Sequence, residues 1–207
     1  MRALFHSMKG ATFDIAFNNH SFLPPELAMP LFQEARIEYP AAWETEYCET
    51  GTVAQWFSKF PDLFYSGSGS PTGISGRLGT LDLFAQHALM YLLRQQLGMK
   101  SVTWLCLADT TKNSKNRDRT MAAWAQMREQ MGAETFESLQ RNLLSSGFTS
   151  FKGEPDLFCW HPENGTWFFA EAKRKDKLLA TQLQWFEICQ QLLQAPEKIV
   201  VYSLSKA

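Results

Sequence analysis

Apolar and polar positions alternate with two periods along this chain, and the last third shows them most clearly. Asp156 to Trp160 and Thr166 to Ala172 read as strands, joined by His161-Pro162-Glu163-Asn164-Gly165, where Asn-Gly is a strong hairpin signal. Leu179, Leu183, Phe186 and Leu193 then share one helical stripe that ends before Pro196. Ile199 to Leu204 follows as an apolar strand, and strand–helix–strand in that order implies a right-handed crossover to a parallel neighbour. Upstream, Leu81, Phe84, Ala88 and Leu92 fall at helical spacing, predicting a helix from an N-cap at Thr80 to about Leu97, stopped by Gly98. Ser101 to Leu107 is a short β-prone run, and Thr110 to Arg119 is polar and looped. Helices are predicted over Met121 to Met131 and Thr135 to Ser145. The first 65 residues, broken by Pro24-Pro25, Pro30, Pro40 and Pro61, read as short helices and turns rather than sheet.

The predicted fold is therefore α/β, a mixed β-sheet flanked by helices with a helical N-terminal extension. One domain is expected over 1–207: a helical part at 1–65, a flexible Gly/Ser-rich connector at 66–80, and a core at 81–207.

Composition is that of an ordinary globular protein, with 45% hydrophobic and 20% charged residues. The net charge of −1 removes a uniformly basic surface as an argument for nucleic-acid binding, so any such contact rests on local patches. Two exist: Lys112, Lys115, Arg117 and Arg119 in one polar stretch, and Lys173, Arg174, Lys175 and Lys177 in another. The plain alternative for each is a solvated face. Cys48, Cys106, Cys159 and Cys189 are scattered, with three in apolar stretches, which suits free thiols in a reducing compartment. They show no zinc spacing with His6, His20, His87 or His161. Without a membrane-spanning or secretory segment, the expectation is a soluble, cytoplasmic protein.

The chemistry concentrates in the hairpin. Pro155-Asp156 opens its first strand and Glu171-Ala172-Lys173 ends its second, so antiparallel pairing brings Asp156 beside Glu171. Residues two apart on a strand share a face, which puts Lys173 there too. Two carboxylates and an ammonium converging on one place suit a divalent cation with hard oxygen ligands. Pro-Asp alone means nothing: Pro61-Asp62-Leu63-Phe64 repeats Pro155-Asp156-Leu157-Phe158, yet neither hairpin nor E-x-K follows it. The plain reading of the later copy is an exposed hairpin with a surface salt bridge.

The stretch Gly153 to Trp185 resembles the VRR-NUC branch of the PD-(D/E)XK nucleases, through Gly153, Pro155, Asp156 and Leu157, then Glu171 and Lys173, then Asp176, Leu178, Gln182 and Trp185. Within that branch it looks most like the nuclease domain of the Fanconi-anaemia-associated nuclease family, which cuts branched and flap DNA. The resemblance implies a restriction-endonuclease-like fold and metal-dependent hydrolysis of DNA, with Mg2+ or Mn2+ on Asp156 and Glu171. Lys173 would be catalytic, and Gln182 would support the site from the helix. The start, Leu4-Phe5-His6 through Gly10-Ala11-Thr12-Phe13, is faintly similar to the family's first nuclease helix, but Ser7, Met8 and Lys9 stand where that helix carries a metal-binding glutamate.

Asp14, Asp82 and Glu137 are candidates to replace that acid, and Asp82, one turn into a helix feeding a strand, is the choice for the metal set. Lys112, Lys115, Arg117, Arg119, Arg174 and Lys175 are the candidate DNA contacts. Trp160, Trp167 and Trp185 suit core packing better than base stacking. A chain lacking the third acid would instead be a nuclease-fold module that binds DNA or a protein partner. Oligomeric state stays open, since a homodimer suits a four-way-junction cutter and a monomer suits a flap cutter.

Overall fold

The computed structural model describes residues 16–18, 30–50, 59, 81, 83–103, 105–108, 117–150 and 152–207. Its strands are β1 (Ala16–Asn18), β2 (Phe32–Tyr39), β3 (Lys100–Val102), β4 (Leu157–Trp160), β5 (Trp167–Lys173) and β6 (Ile199–Lys206). They form one sheet in the order β1-β2-β6-β5-β4-β3. The pairs β1–β2, β5–β4 and β4–β3 are antiparallel, whereas β6 runs parallel to both β2 and β5. The helices are α1 (Ala42–Thr50), α2 (Phe84–Leu97), α3 (Arg117–Met131), α4 (Ala133–Ser145) and α5 (Ala180–Leu193).

Alternation along the strands builds a core on each face of the sheet. Leu157, Ala170, Tyr202 and Ile37 face α1 and α2, while Phe158, Phe169 and Val201 face α3, α4 and α5. Trp185 of α5 is fully buried, its ring 5.0 Å from Phe169 and nearly perpendicular to it. Each Phe buried this way contributes about 1.5–3 kcal/mol. The mixed sheet flanked by helices is the α/β arrangement expected from the sequence. Among the described residues no helix is long and apolar enough to cross a membrane. Cys106, Cys159 and Cys189 are buried free thiols.

Several local expectations are corrected. The part predicted to be helical within 1–65 contributes two strands, and α1 is the one helix of more than a turn that its described residues contain. In β2, Ala35, Ile37 and Tyr39 are buried while Arg36 and Glu38 are exposed, the alternation of a strand with one wet face. Pro30 and Pro40 lie outside β2, where a missing N–H breaks no ladder. Helix α2 begins at Phe84 after Leu83 in the left-handed region (φ 60°), not after Thr80, which lies outside the described residues, as does the 66–80 connector. It ends as expected at Gly98 (φ 67°), whose N–H donates to Arg94. Strand β3 stops at Val102, and the chain turns through Cys106 (φ 46°). Helix α3 starts at Arg117, inside the stretch expected to be loop. The buried stripe of α5 runs through Gln182, Trp185, Phe186 and Cys189, leaving Leu179 largely exposed.

Buried His87 of α2 shares a 2.9 Å hydrogen bond with Tyr47 of α1, and burial lowers its pKa to about 4. The unfolded chain takes up this proton near pH 6.5 and the native chain does not, so stability falls as pH drops from 6.5 to about 4 and His87 adds nothing further below that. The expected loss is at most about 3 kcal/mol. Denaturant unfolding at pH 7 and pH 4.5 checks it: His87→Gln should flatten this limb, and an equally steep limb in the variant would refute the assignment.

Candidate active site

The site is built by the register of one hairpin. Leu157 pairs with Ala170, so the residue before β4 lies beside Glu171. Two reciprocal hydrogen bonds close that end: the Asp156 N–H donates to Glu171 Oε2 at 3.3 Å, and the Ala172 N–H donates to Asp156 Oδ2 at 2.9 Å. The turn into β4 needs Gly153, which has φ 89° and would place a Cβ 2.7 Å from the Thr181 carbonyl oxygen of α5. That close approach seats α5 against the hairpin. From α5, the buried amide of Gln182 donates to Glu171 Oε1 and its oxygen accepts from the Leu179 N–H at 3.0 Å. Gln182 is therefore not a surface amide: it fixes one carboxylate and the start of its own helix.

Lys173 Nζ lies 2.9 Å from Glu171 Oε1 and 2.9 Å from Asp176 Oδ2. Burial pushes the Asp156 carboxyl up to about 7, with the charge of Glu171 adding to the shift. Glu171 is also raised by burial, against the pull of Lys173 and Gln182. Burial alone would lower Lys173, but its hydrogen bond to Glu171 and that group's charge outweigh burial and raise it. The lysine is thus held as a cation, suited to stabilising negative charge rather than to accepting a proton.

A cleft of about 360 Å³ opens beside Asp156, lined also by Ala172, Arg174, Lys175 and Asp176 and, opposite, by Leu81, Leu83, Ala85 and Gln86 around the start of α2. Gln86 is a residue that sequence reasoning missed. It is 8% exposed, and no described residue hydrogen-bonds to its amide. Nothing in a helical run distinguishes it, because an amide carries no motif of its own.

The other expected residues divide. Arg174 and Lys175 line the cleft, and Arg174 is also held by Glu44 of α1 at 3.4 Å. Lys112, Lys115, Asp14 and Asp82 lie outside the described residues, as do the side chains of Arg117 and Arg119, whose backbone opens α3. Glu137 pairs with Arg128 at 3.2 Å, half exposed on α4, and does not join the carboxylates. Trp160, Trp167 and Trp185 are core residues.

Asp156 and Glu171 could hold a hard cation. No described group donates to Asp156 Oδ1, and Lys173 pairs with buried Glu171 and with Asp176, with no ion pair to half-buried Asp156 among the described residues. Both facts fit a divalent ion with oxygen ligands. Among the described residues, however, no group of three or more His, Cys, Asp or Glu side chains is placed to hold a metal ion.

No family model matches the chain, and no curated protein matches it. Among solved structures, it is similar to the crystal structure of paFAN1 bound to 2nt 5′-flap DNA with gap, at 16% identity and a TM-score of 0.32. The match covers 83% of this chain and 37% of that one, so the chain spans little more than a third of that protein's length.

Two substitutions probe this geometry. Raising the Asp156 pKa above its unfolded value means that ionising it costs native stability as pH rises from about 4 through 7. Asp156→Asn should therefore raise Tm at pH 8 in EDTA by about 3–6 °C, and an unchanged or lower Tm would contradict the cost. Gly153→Ala should lower unfolding stability by about 2–4 kcal/mol in urea, from left-handed strain plus the clash with Thr181.

Proposed function

We propose that the chain is a metal-dependent DNA nuclease of the PD-(D/E)XK type, hydrolysing phosphodiester bonds with Mg2+ or Mn2+ and acting on flap or branched structures. The observation that carries this reading is the convergence of Asp156, Glu171 and Lys173 at one hairpin end, with Lys173 Nζ 2.9 Å from Glu171.

Asp156 and Glu171 would hold the cation, which when bound lowers the pKa of a coordinated water and neutralises charge on the phosphate. Gln182 keeps the Glu171 carboxylate in one orientation by donating to Oε1. Lys173 stays protonated and faces the charge that develops on the phosphoryl oxygens. Asp176, two-thirds exposed, holds the ammonium from the other side at 2.9 Å. Arg174 and Lys175 line the approach and would contact flanking phosphates.

A second reading has its own observation. Because no third acid joins the pair among the described residues, the fold would also suit a module that binds DNA or a protein partner and cuts poorly.

Cleavage of labelled linear, flap and four-way-junction DNA, with Mg2+, Mn2+ or EDTA, separates the two. Cutting that needs the cation and drops at least about 100-fold in both Asp156→Ala and Lys173→Ala is expected for the nuclease. Intact substrates bound by wild-type protein would give the lead to the binding module.

A further inference from the structure

Arg174 lines the cleft, yet the carboxylate that pairs with it, Glu44, does not. We infer that Glu44 of α1 is a positioning residue: it holds the Arg174 guanidinium in the cleft wall, and Tyr39 and Lys206 hold Glu44 in turn. The inference rests on the nuclease reading, in which Arg174 contacts a phosphate flanking the one under attack.

An arginine side chain spreads over many rotamers unless something holds it. Two contacts hold this one. Its Nη2 lies 3.4 Å from Glu44 Oε1, and its guanidinium carbon lies 5.5 Å from the ring centre of buried Phe84 in α2. The paired side chains are 19% and 15% exposed, so this is not the solvated surface bridge that adds little. Among the described residues nothing accepts from Nε or Nη1. The pair thus fixes the planar fork by one corner and leaves its other donors for a ligand in the cleft.

Glu44 is suited to holding the arginine rather than to touching substrate. As an anion it would repel a phosphate, and both of its oxygens are already engaged. The hydroxyl of buried Tyr39 donates to Oε1 at 2.7 Å, and Lys206 Nζ lies 2.7 Å from Oε2. Tyr39 ends β2 and Lys206 ends β6, so two strands fix one carboxylate before it meets Arg174. Burial would raise the Glu44 pKa, but hydrogen bonds from Lys206 and Tyr39, with the charge of Arg174, outweigh it and lower the value. The carboxylate therefore stays ionised. Burial, with the bond to Glu44 adding, pushes Tyr39 up to about 12, so its hydroxyl stays a donor.

Two measurements in EDTA, where no cation is held, test this role. Without DNA, NMR relaxation of the Arg174 Nε–Hε group should give an order parameter above about 0.8, falling below about 0.6 in Glu44→Gln. That variant keeps an oxygen for Tyr39 and loses only the charge. An unchanged order parameter would overturn the positioning role. Fluorescence anisotropy with labelled flap DNA then gives Kd. Arg174→Ala and Glu44→Gln should each weaken binding about threefold to tenfold, and the double variant should bind no more weakly than Arg174→Ala alone. Removing an anion should by itself tighten binding to DNA, so weakening by Glu44→Gln reports lost orientation, and tightening would overturn the role. Equal weakening by Glu44→Gln with and without Arg174 would overturn it too, because a general loosening of the fold acts in both backgrounds. If Arg174→Ala binds like wild type while Glu44→Gln still mobilises the side chain, the positioning stands and the phosphate contact of Arg174 falls. Failure of the cleavage experiment leaves the order parameters unaffected, so the two readings fall separately.

Discussion

Two carboxylates side by side, one buried and one half-buried at the mouth of a cleft, cannot both ionise cheaply, and the rest of the site is arranged around that constraint. The Asp156 N–H donates to the Glu171 carboxylate and the Ala172 N–H to the Asp156 carboxylate, which ties their separation to the register of β4 and β5. Burial raises both pKa values; Lys173 opposes both shifts through its charge, and only Glu171 also receives hydrogen bonds from Lys173 and Gln182. Asp156 receives one backbone N–H and no side-chain partner among the described residues. The imbalance is local and directional: an added positive charge would be stabilised most beside Asp156, at the mouth of the cleft.

That arrangement depends on pieces far apart in the chain. Gly153 lets α5 approach within van der Waals contact, and only then does Gln182 reach Glu171. Trp185, one turn further on, anchors the same helix on Phe169, two residues before Glu171 on the same face of β5. Core packing and site geometry therefore share one strand. A cavity opened at Trp185 would be felt at the carboxylates before it was felt at the sheet edge.

Much of this was legible in the sequence because it is local. Asn164-Gly165 sets the hairpin, and the hairpin sets the meeting of Asp156 with Glu171; period two then adds Lys173. Period 3.6 located α2 and α5; in α5 Phe186 is buried and Leu183 and Leu193 pack against the core, but Leu179 precedes the helix and Gln182, which binds Glu171, joins the buried face. What escaped was non-local. Strand β2 gains its ladder from β6, some 165 residues later, and no short-range pattern announces a parallel partner. The prolines flanking β2 looked like helix breakers when they mark strand ends. Arg174 read as a candidate DNA contact in a basic run, and its partner Glu44 lies in α1, 130 residues earlier. Gln86 escaped for a chemical reason: an amide has no charge to stand out, and its meaning comes only from the cleft it faces.

The segment from Glu171 to Asp176 explains how one strand end serves two faces. Alternation sends Glu171 and Lys173 toward α5, and the next residue, Arg174, toward Glu44 of α1 and Phe84 of α2. The acid pair is thus flanked by a cation on each side of the sheet, one tied to the carboxylate it serves and one tied to a separate acid. Under the proposed function, an extended phosphodiester chain crossing the sheet end would meet Lys173 and Arg174 on opposite sides of Asp156. Tying Arg174 to Glu44 gives it a partner other than Asp156. A net charge of −1 is then no obstacle to binding a polyanion, because what matters is not the sum but the ordering of charges across a single cleft.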